Sequence, residues 1–175
     1  MQSGKNTWLK NHWSQFSIVV LYLAAIVAAN VTIAIWGPEV SVLNAFLFIG
    51  FNITARDRLH DAWRGQSLKR NMFLLILAGS VISAIFGAGR IALASFLAFA
   101  LSESADAIVY HVLRSRAKLL QVNGSNVISA GVDSIAFPLL AFGWPPLAGI
   151  MLGQFLAKVF GGAIWSVILA RKNEN

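Results

Sequence analysis

Long apolar stretches alternate with short polar or glycine- and proline-containing segments along this chain. A helix needs about 20 apolar residues to cross the hydrocarbon core of a bilayer, with a range of about 17–25. The pattern therefore predicts an all-α integral membrane protein with six transmembrane helices, and a tight link at Gly89–Arg90 between the third and the fourth. The predicted spans are Phe16–Trp36, Val40–Ala55 with helix continuing to about Trp63, Met72–Ala88, Ile91–Leu113, Asn126–Phe142 and Leu147–Ala170.

Composition leaves no room for a separate soluble domain. Of the 175 residues, 57% are apolar and 12% charged, whereas a soluble domain has about 25% charged residues. We expect a single transmembrane domain over residues 1–175, with short cytoplasmic tails at 1–15 and 171–175. The N-terminal segment lacks the layout of a cleavable signal peptide, so the first span is expected to remain as an anchor. The absence of cysteine excludes disulfides and thiol-based sites.

Lysine and arginine are strongly biased to one side of the predicted topology. Twelve lie on one side, Arg90 lies on the other, and Lys158 lies within a span. By the positive-inside rule, both termini are expected to be cytoplasmic in a multi-pass protein of the inner membrane. Topology and attraction to anionic lipid account for the net charge of +7, so nucleic acid is not expected as a partner. The twelve are Lys5, Lys10, Arg56, Arg58, Arg64, Lys69, Arg70, Arg114, Arg116, Lys118, Arg171 and Lys172.

Charged side chains inside the apolar spans are the main functional clue. Each costs about 2.5–3.5 kcal/mol on insertion scales when placed at the centre of a membrane helix. Such residues line water-filled cavities, pair with one another or bind a polar solute. They are Glu103, Asp106, Asp133 and Lys158.

The fourth span carries a stripe of aromatic and acidic side chains. Its members are spaced by 3, 4, 3 and 4 residues, which places them on one helical face. Aromatic faces stack on planar heterocycles, and a carboxylate accepts two adjacent hydrogen bonds, as the N1–H and 2-amino edge of a guanine-like ring would offer. The alternative is a packing face whose acids are neutralised by protonation or by a neighbour. The stripe consists of Phe96, Phe99, Glu103, Asp106 and Tyr110.

Polar residues also recur at helical spacing in the fifth and sixth spans. Asp133 and Lys158 lie far from the ends of their spans, so an antiparallel hairpin would bring them together as an ion pair. This pair would either belong to the functional site or only fix the helix register. The polar stripes are Asn126, Ser129, Asp133 and Phe137 in the fifth span, and Gln154, Lys158, Gly161 and Trp165 in the sixth.

Other polar and small residues in the spans have structural interpretations. Single asparagines commonly hold transmembrane helices together, and this is the default for Asn30, Asn44 and Asn52. A ridge of small residues at four-residue spacing, Gly149–Gly161, permits close approach of another backbone. Internal packing is the default interpretation of this ridge, and a homodimer interface is the alternative.

No pattern for catalysis or metal binding is present. The histidines at positions 12, 60 and 111 are scattered in sequence and in depth. The chain lacks a phosphate-binding glycine loop, a nucleophile elbow and an HExxH motif. We expect no enzymatic activity, no cofactor and no metal.

Four segments resemble, in the same order, motifs of the queuosine precursor transporter family, also called the vitamin uptake transporter (VUT) family. The similarity covers about residues 44–165. The chain departs from the family pattern at two places. Glu103 stands where the family often has Gln, so this chain carries an additional charge there, and Arg64 is inserted before Gly65. The segments are Asp57-x-x-x-Asp61-Ala-Trp63 with Gly65, the run from Arg90 through Ser95-Phe96 and Glu103-Ser-Ala-Asp106 to Leu113-Arg114, the run from Ser125 through Asp133-Ser134 to Phe137, and Lys158.

The resemblance implies a six-helix transporter that takes up 7-cyano-7-deazaguanine or a related 7-deazaguanine, in agreement with the aromatic and acidic stripe. Glu103 and Asp106 would bind the donor edge of the ring. The pair of Asp133 and Lys158 would open, or change protonation, during the transport cycle. Phe96, Phe99 and Phe137 would stack on the base, and Asn52, Asn126 and Gln154 would complete the polar contacts.

Two other functions stay open on the sequence alone. Because the chain has no nucleotide motif, it would also suit the substrate-binding membrane subunit of an ATP-driven vitamin or nucleobase uptake complex. Co-purification with an ATPase would distinguish that case. A purely structural membrane protein would leave the two acids of the fourth span unexplained, and direct binding of a deazaguanine would argue against it.

Overall fold

Every element in the described part of the chain is helical, which confirms the predicted all-α class. The computed structural model describes the backbone of residues 3–63 and 67–171, and the side chains of residues 15–168 except 57, 60, 61, 64–66, 118, 119 and 122. The motif residues Asp57, Asp61, Arg64 and Gly65 therefore lie outside the described side chains. The helices are α1 (Ser3–Trp36), α2 (Ser41–Asn44), α3 (Gly50–Ala62), α4 (Leu68–Ser83), α5 (Gly89–Val112), α6 (Lys118–Phe142) and α7 (Ala148–Arg171).

Five helical segments of the described chain are long and apolar enough to cross a membrane. Four of them correspond to the first, second, fifth and sixth predicted spans. The longest, with 48 residues, combines the third and the fourth. The five are Gln15–Trp36, Pro38–Arg56, Leu68–Ser115, Asn123–Phe142 and Ala148–Ile168.

The 48-residue segment folds back on itself between α4 and α5. Its backbone leaves the helical conformation at Phe86 and at Gly87, where φ is +88°. The rings of Phe73 and Phe96 lie 6.0 Å apart, although 23 residues of straight helix would separate them by about 34 Å. The expected link at Gly89–Arg90 is therefore wrong: both residues belong to α5. Gly87 makes the turn because glycine adopts a positive φ without a Cβ clash.

The second membrane-crossing segment is helical throughout, but its helix type changes along the chain. A 3₁₀ turn at Pro38–Val40 leads into α2, a π-helical turn at Ala45–Ile49 follows, and α3 completes the run. The π-helical turn packs tightly against α7, since a Cβ added to Gly161 would lie 2.5 Å from the carbonyl oxygen of Phe46. The small-residue ridge of α7 is thus used for internal packing at Gly161.

Asparagine side chains connect α1 to its neighbours, as the sequence predicts. Asn30 donates from Nδ2 to Oγ of Ser83 at 3.1 Å, which ties α1 to α4. Asn44 donates from Nδ2 to Oγ1 of Thr32 at 2.7 Å, which ties α2 to α1. Each bond satisfies a polar group that lipid could not satisfy.

Two apolar clusters fix the positions of α1, α3, α4, α5 and α6. The first joins α1, α3 and α4 through the buried side chains of Tyr22, Leu59 and Ile76. The second joins α1, α5 and α6 through Ile33, Ala98, Phe137 and neighbours.

Candidate functional site

Several cavities lie between the described helices, among them the three that follow. The central cavity, of about 70 Å³, is lined by polar side chains from α1 and α3 to α7, including Tyr22, Asn52, Arg56, Ser102, Ser129, Asp133 and Lys158. The α4/α5 cavity, of about 420 Å³, is lined by Phe73, Phe96, Phe99, Glu103, Ser104 and Asp106 among others. The α3/α6/α7 cavity, of about 380 Å³, is lined by Thr54, Asn123, Asn126, Lys158 and Ser166 among others.

Asp133 and Lys158 form an ion pair beside the central cavity, which confirms the predicted contact. Nζ of Lys158 lies 2.7 Å from Oδ2 of Asp133. The ammonium group also donates to Oγ of Ser134 at 3.1 Å and to Oε1 of Gln154 at 3.2 Å. These contacts use the three donors of a lysine. Lys158 is only 2% exposed, so these protein partners take the place of water around its ammonium group.

Gln154 extends this network to the second membrane-crossing segment. Its Nε2 donates to Oγ of Ser41 at 3.0 Å, while its Oε1 accepts from Lys158. Both ends of the amide are therefore engaged by protein groups. Gln154 lines a pocket of about 30 Å³ together with Phe137, on the α2 side of the ion pair. Gln154 thus bridges Ser41 of α2 and Lys158, the partner of Asp133 in α6, while its predicted contact with the solute stays a prediction.

Arg56 is the functional candidate that the sequence interpretation missed. It was counted among the twelve cations on the cytoplasmic side, but its side chain is buried and lines the central cavity. Nη1 donates to Oε1 of Glu103 in an ion pair, and Nη2 donates to Oδ1 of Asn126 at 3.0 Å. Arg56 thus ties α3 to both α5 and α6. The available signal was its position four residues after Asn52, on the polar face of the same helix.

The acidic and aromatic stripe of α5 is largely brought together in the α4/α5 cavity. Phe96, Phe99, Glu103 and Asp106 all line it. Oδ1 of Asp106 is buried without a hydrogen-bond partner among the described residues. Tyr110 continues the stripe but lies outside the three cavities, with 37% of its surface exposed. The stripe therefore provides two aromatic rings, one engaged acid and one acid with an available acceptor.

The remaining predicted residues are divided among different places. Asn52 lines the central cavity and is buried, and its Oδ1 has no hydrogen-bond partner within the described part of the chain. Phe137 belongs to the second apolar cluster and packs edge-on against Phe142, with ring centroids 5.9 Å apart. Asn126 faces the α3/α6/α7 cavity and is held by Arg56. The structure does not bring all eleven predicted residues into one compact site.

Charges around the central cavity are balanced in pairs. Arg56 faces Glu103, and Lys158 faces Asp133. The extra charge that Glu103 adds relative to a glutamine is thereby compensated. No group of three or more His, Asp and Glu side chains able to hold a metal occurs among the residues that the structure describes. The side chains that line the cavities can therefore form hydrogen bonds, stack on aromatic rings and compensate charge.

Comparison with known proteins connects this arrangement to one family. A family model described as "Putative vitamin uptake transporter" matches residues 8–170. The match spans all the membrane-crossing segments and every residue of the three cavities. The comparisons with curated proteins and with solved structures gave no match.

Proposed function

Because the chain belongs to the vitamin uptake transporter family, we propose that it carries a planar, uncharged nitrogen heterocycle across the membrane. The proposed solute is the queuosine precursor 7-cyano-7-deazaguanine or a related 7-deazaguanine. Family membership itself indicates a membrane transporter rather than an enzyme. The proposed identity of the solute rests on the chemistry of the α4/α5 cavity.

The observation that carries the proposal is the buried Oδ1 of Asp106. A buried acceptor without a partner costs about 1–3 kcal/mol, and more when the group is charged. Here it lies in a cavity that also presents the rings of Phe96 and Phe99. A guanine-like ring supplies donors for the carboxylate and two flat faces for the aromatic side chains. The solute would thus satisfy the acceptor that the protein leaves open.

Glu103 has a secondary role in this proposal. Its Oε1 accepts from Arg56, so one of its oxygens is already engaged. The sequence interpretation assigns both Glu103 and Asp106 to the donor edge of the ring. The geometry favours Asp106 as the principal acceptor, with Glu103 positioned by Arg56 at the inner wall of the cavity.

We further propose that the protein crosses the inner membrane six times and that both of its termini lie in the cytoplasm. The return of α5 against α4 supports counting Leu68–Ser115 as two crossings. With Arg56 buried, eleven lysines and arginines still fall on the cytoplasmic side and Arg90 on the other. This bias supports the proposed orientation.

Calorimetric titration of the purified protein with 7-cyano-7-deazaguanine tests the proposal. Asp106→Asn keeps the size of the side chain and removes its charge, so affinity should fall by about one to two decades. Ser104→Ala is the matched control, because Ser104 lines the same cavity while its Oγ donates to the carbonyl of Ala100 in its own helix at 2.8 Å. Its affinity should match that of the parent. Absence of binding to the parent protein would refute the proposed solute.

Reconstitution distinguishes the transporter from a subunit of an ATP-driven complex. The purified chain alone, in liposomes, should accumulate or equilibrate the base without ATP. Uptake that depends on an added ATPase and on ATP would support the second function instead.

A further inference from the structure

We infer that the central cavity is a second binding site for the transported solute, and that Arg56 closes it from the two flanking cavities. The inference rests on the proposed function, in that the same solute would pass from one cavity to the other. It assigns Arg56 a positioning role and Asn52 a direct contact with the solute.

Arg56 connects the central cavity to wall residues of both flanking cavities. Its side chain lines the central cavity. Nη1 donates to Glu103, which lines the α4/α5 cavity, and Nη2 donates to Asn126, which lines the α3/α6/α7 cavity. A guanidinium group is planar and rigid and can hold two partners at fixed angles, which a lysine cannot. One side chain therefore joins α3, α5 and α6 at the place where the cavities meet.

Apolar side chains complete the walls on either side of Arg56. Ile76 and Phe99 line both the central and the α4/α5 cavity. Ile53 and Ala130 line both the central and the α3/α6/α7 cavity. Movement of Phe99 and release of Glu103 by Arg56 would open the first wall without breaking the ion pair of Asp133 and Lys158.

Asn52 provides the independent sign of a ligand in the central cavity. It is 7% exposed, it faces this cavity, and its Oδ1 has no hydrogen-bond partner among the described residues. A solute donor such as a ring N–H or an amino group would satisfy this oxygen. The neighbouring charges are already paired, which favours an uncharged solute over an ion.

The cavity volumes differ in whether they leave room for the solute. Small-molecule sites commonly measure about 300–1,000 Å³. The α4/α5 cavity, at about 420 Å³, falls within this range, whereas the central cavity, at about 70 Å³, is contracted. In the present conformation the α4/α5 cavity, like the α3/α6/α7 cavity at about 380 Å³, is therefore large enough for the solute, and the central cavity is too small.

Thiol accessibility tests this closure without any assumption about the solute. The chain contains no cysteine, so an introduced thiol is the sole target of a small, water-soluble methanethiosulfonate reagent. Ser102→Cys places the thiol at a 4% exposed position in the central cavity, and Ser104→Cys places it at an exposed position in the α4/α5 cavity. In the otherwise unchanged full-length protein in nanodiscs, Ser104→Cys should react quickly and Ser102→Cys slowly.

Arg56→Gln combined with Glu103→Gln removes the barrier together with both charges of the Arg56–Glu103 ion pair. In this background, the reaction of Ser102→Cys should accelerate by about tenfold or more, because charge-assisted hydrogen bonds no longer favour the closed state. The rate at Ser104→Cys should stay the same. Equal rates at Ser102→Cys with and without the double change, in proteins that remain folded by circular dichroism, would overturn the inference.

A second arm adds 7-cyano-7-deazaguanine and separates the two proposals. Slower modification of Ser102→Cys in the double-variant background supports the central site. If the base binds by calorimetry but gives no such protection, the central cavity is not a solute site and the inference fails. If the base binds to no form of the protein while the accessibility changes as expected, the proposed solute is wrong and the closure by Arg56 stands.

Discussion

Nζ of Lys158 and Oδ2 of Asp133 lie 2.7 Å apart, at a junction shared by the central cavity and the small pocket beside α2. The two residues come from helices joined by a short connection, Gly143–Leu147, which sets their antiparallel register. Asp133 keeps some exposure, with 22% of its side chain accessible against 3% for Lys158. The carboxylate is therefore the more accessible member of the pair.

Removing one member of this pair should destabilise the protein. Asp133→Asn alone leaves the charge of Lys158 uncompensated, and Lys158→Met alone leaves the charge of Asp133 uncompensated. Breaking a buried ion pair in this way costs about 3–5 kcal/mol. The double change should regain much of this loss. Lys158→Met also removes donors to Ser134 and Gln154, so the rescue should be partial. Thermal or chemical unfolding in detergent measures all three variants.

Transport by the variant that combines Asp133→Asn with Lys158→Met distinguishes a structural role of the ion pair from a role in the transport cycle. If the pair only fixes the fold, uptake into liposomes should return together with stability. If the pair takes part in the transport cycle, the protein should fold and bind the base but fail to transport it. Destabilisations that simply add, with no rescue, would contradict direct coupling between the two residues.

Glu103→Gln should affect stability more than solute binding. The substitution removes the negative charge of Glu103 from the buried guanidinium of Arg56, and breaking a buried ion pair costs up to about 3–5 kcal/mol. A glutamine oxygen can still accept from Nη1, which places the expected loss toward the lower end. Combining the change with Arg56→Gln should restore part of the stability in an unfolding experiment. If instead Glu103→Gln abolishes deazaguanine binding in a stable protein while Asp106→Asn binds normally, our assignment of the principal acceptor is wrong.

Packing of α7 against the π-helical turn predicts a contrast between two glycines on the same ridge. A Cβ on Gly161 would lie 2.5 Å from the carbonyl oxygen of Phe46, a backbone atom that cannot move aside cheaply. Gly161→Ala should therefore cost about 1–3 kcal/mol, typical of overpacking. Gly149→Ala meets no atom within 4 Å and should be neutral or slightly stabilising. Similar unfolding midpoints for the two variants would contradict this close helix contact.

The contact of Asp133 with Lys158 could be predicted because the relevant information is local. Each residue lies far from the ends of an apolar span, and a short connection between two spans leaves little freedom in their register. The bonds of Asn30 and Asn44 could be anticipated in kind, since a buried amide in lipid must find a partner. Their partners, Ser83 and Thr32, follow only from the way α1 packs.

The role of Arg56 could not be predicted in the same way. A cation at the end of an apolar span has the same local sequence whether it faces water or turns inward. Its acidic partner, Glu103, lies 47 residues away, and only the packing of α3 against α5 and α6 brings them together. Helical periodicity likewise identified the face of α5 that carries Asp106, but it does not say which cavity that face meets. For the same reason periodicity placed Phe137 and Gln154 on helical stripes but could not name the protein groups that they contact, Phe142 and Ser41.

The turn between α4 and α5 provides the sharpest test of the six crossings. If both arms of Leu68–Ser115 cross the membrane, Gly89 lies on the side opposite Ser67 and Ser115. Single thiols can report this, because the chain has no cysteine. In intact cells, a membrane-impermeant maleimide should label Gly89→Cys, which faces open space. The same reagent should label Ser67→Cys and Ser115→Cys only after the membrane is permeabilised. Labelling of Ser67→Cys and Gly89→Cys from the same side would contradict two crossings, and labelling of Ser115→Cys in intact cells would contradict the proposed orientation.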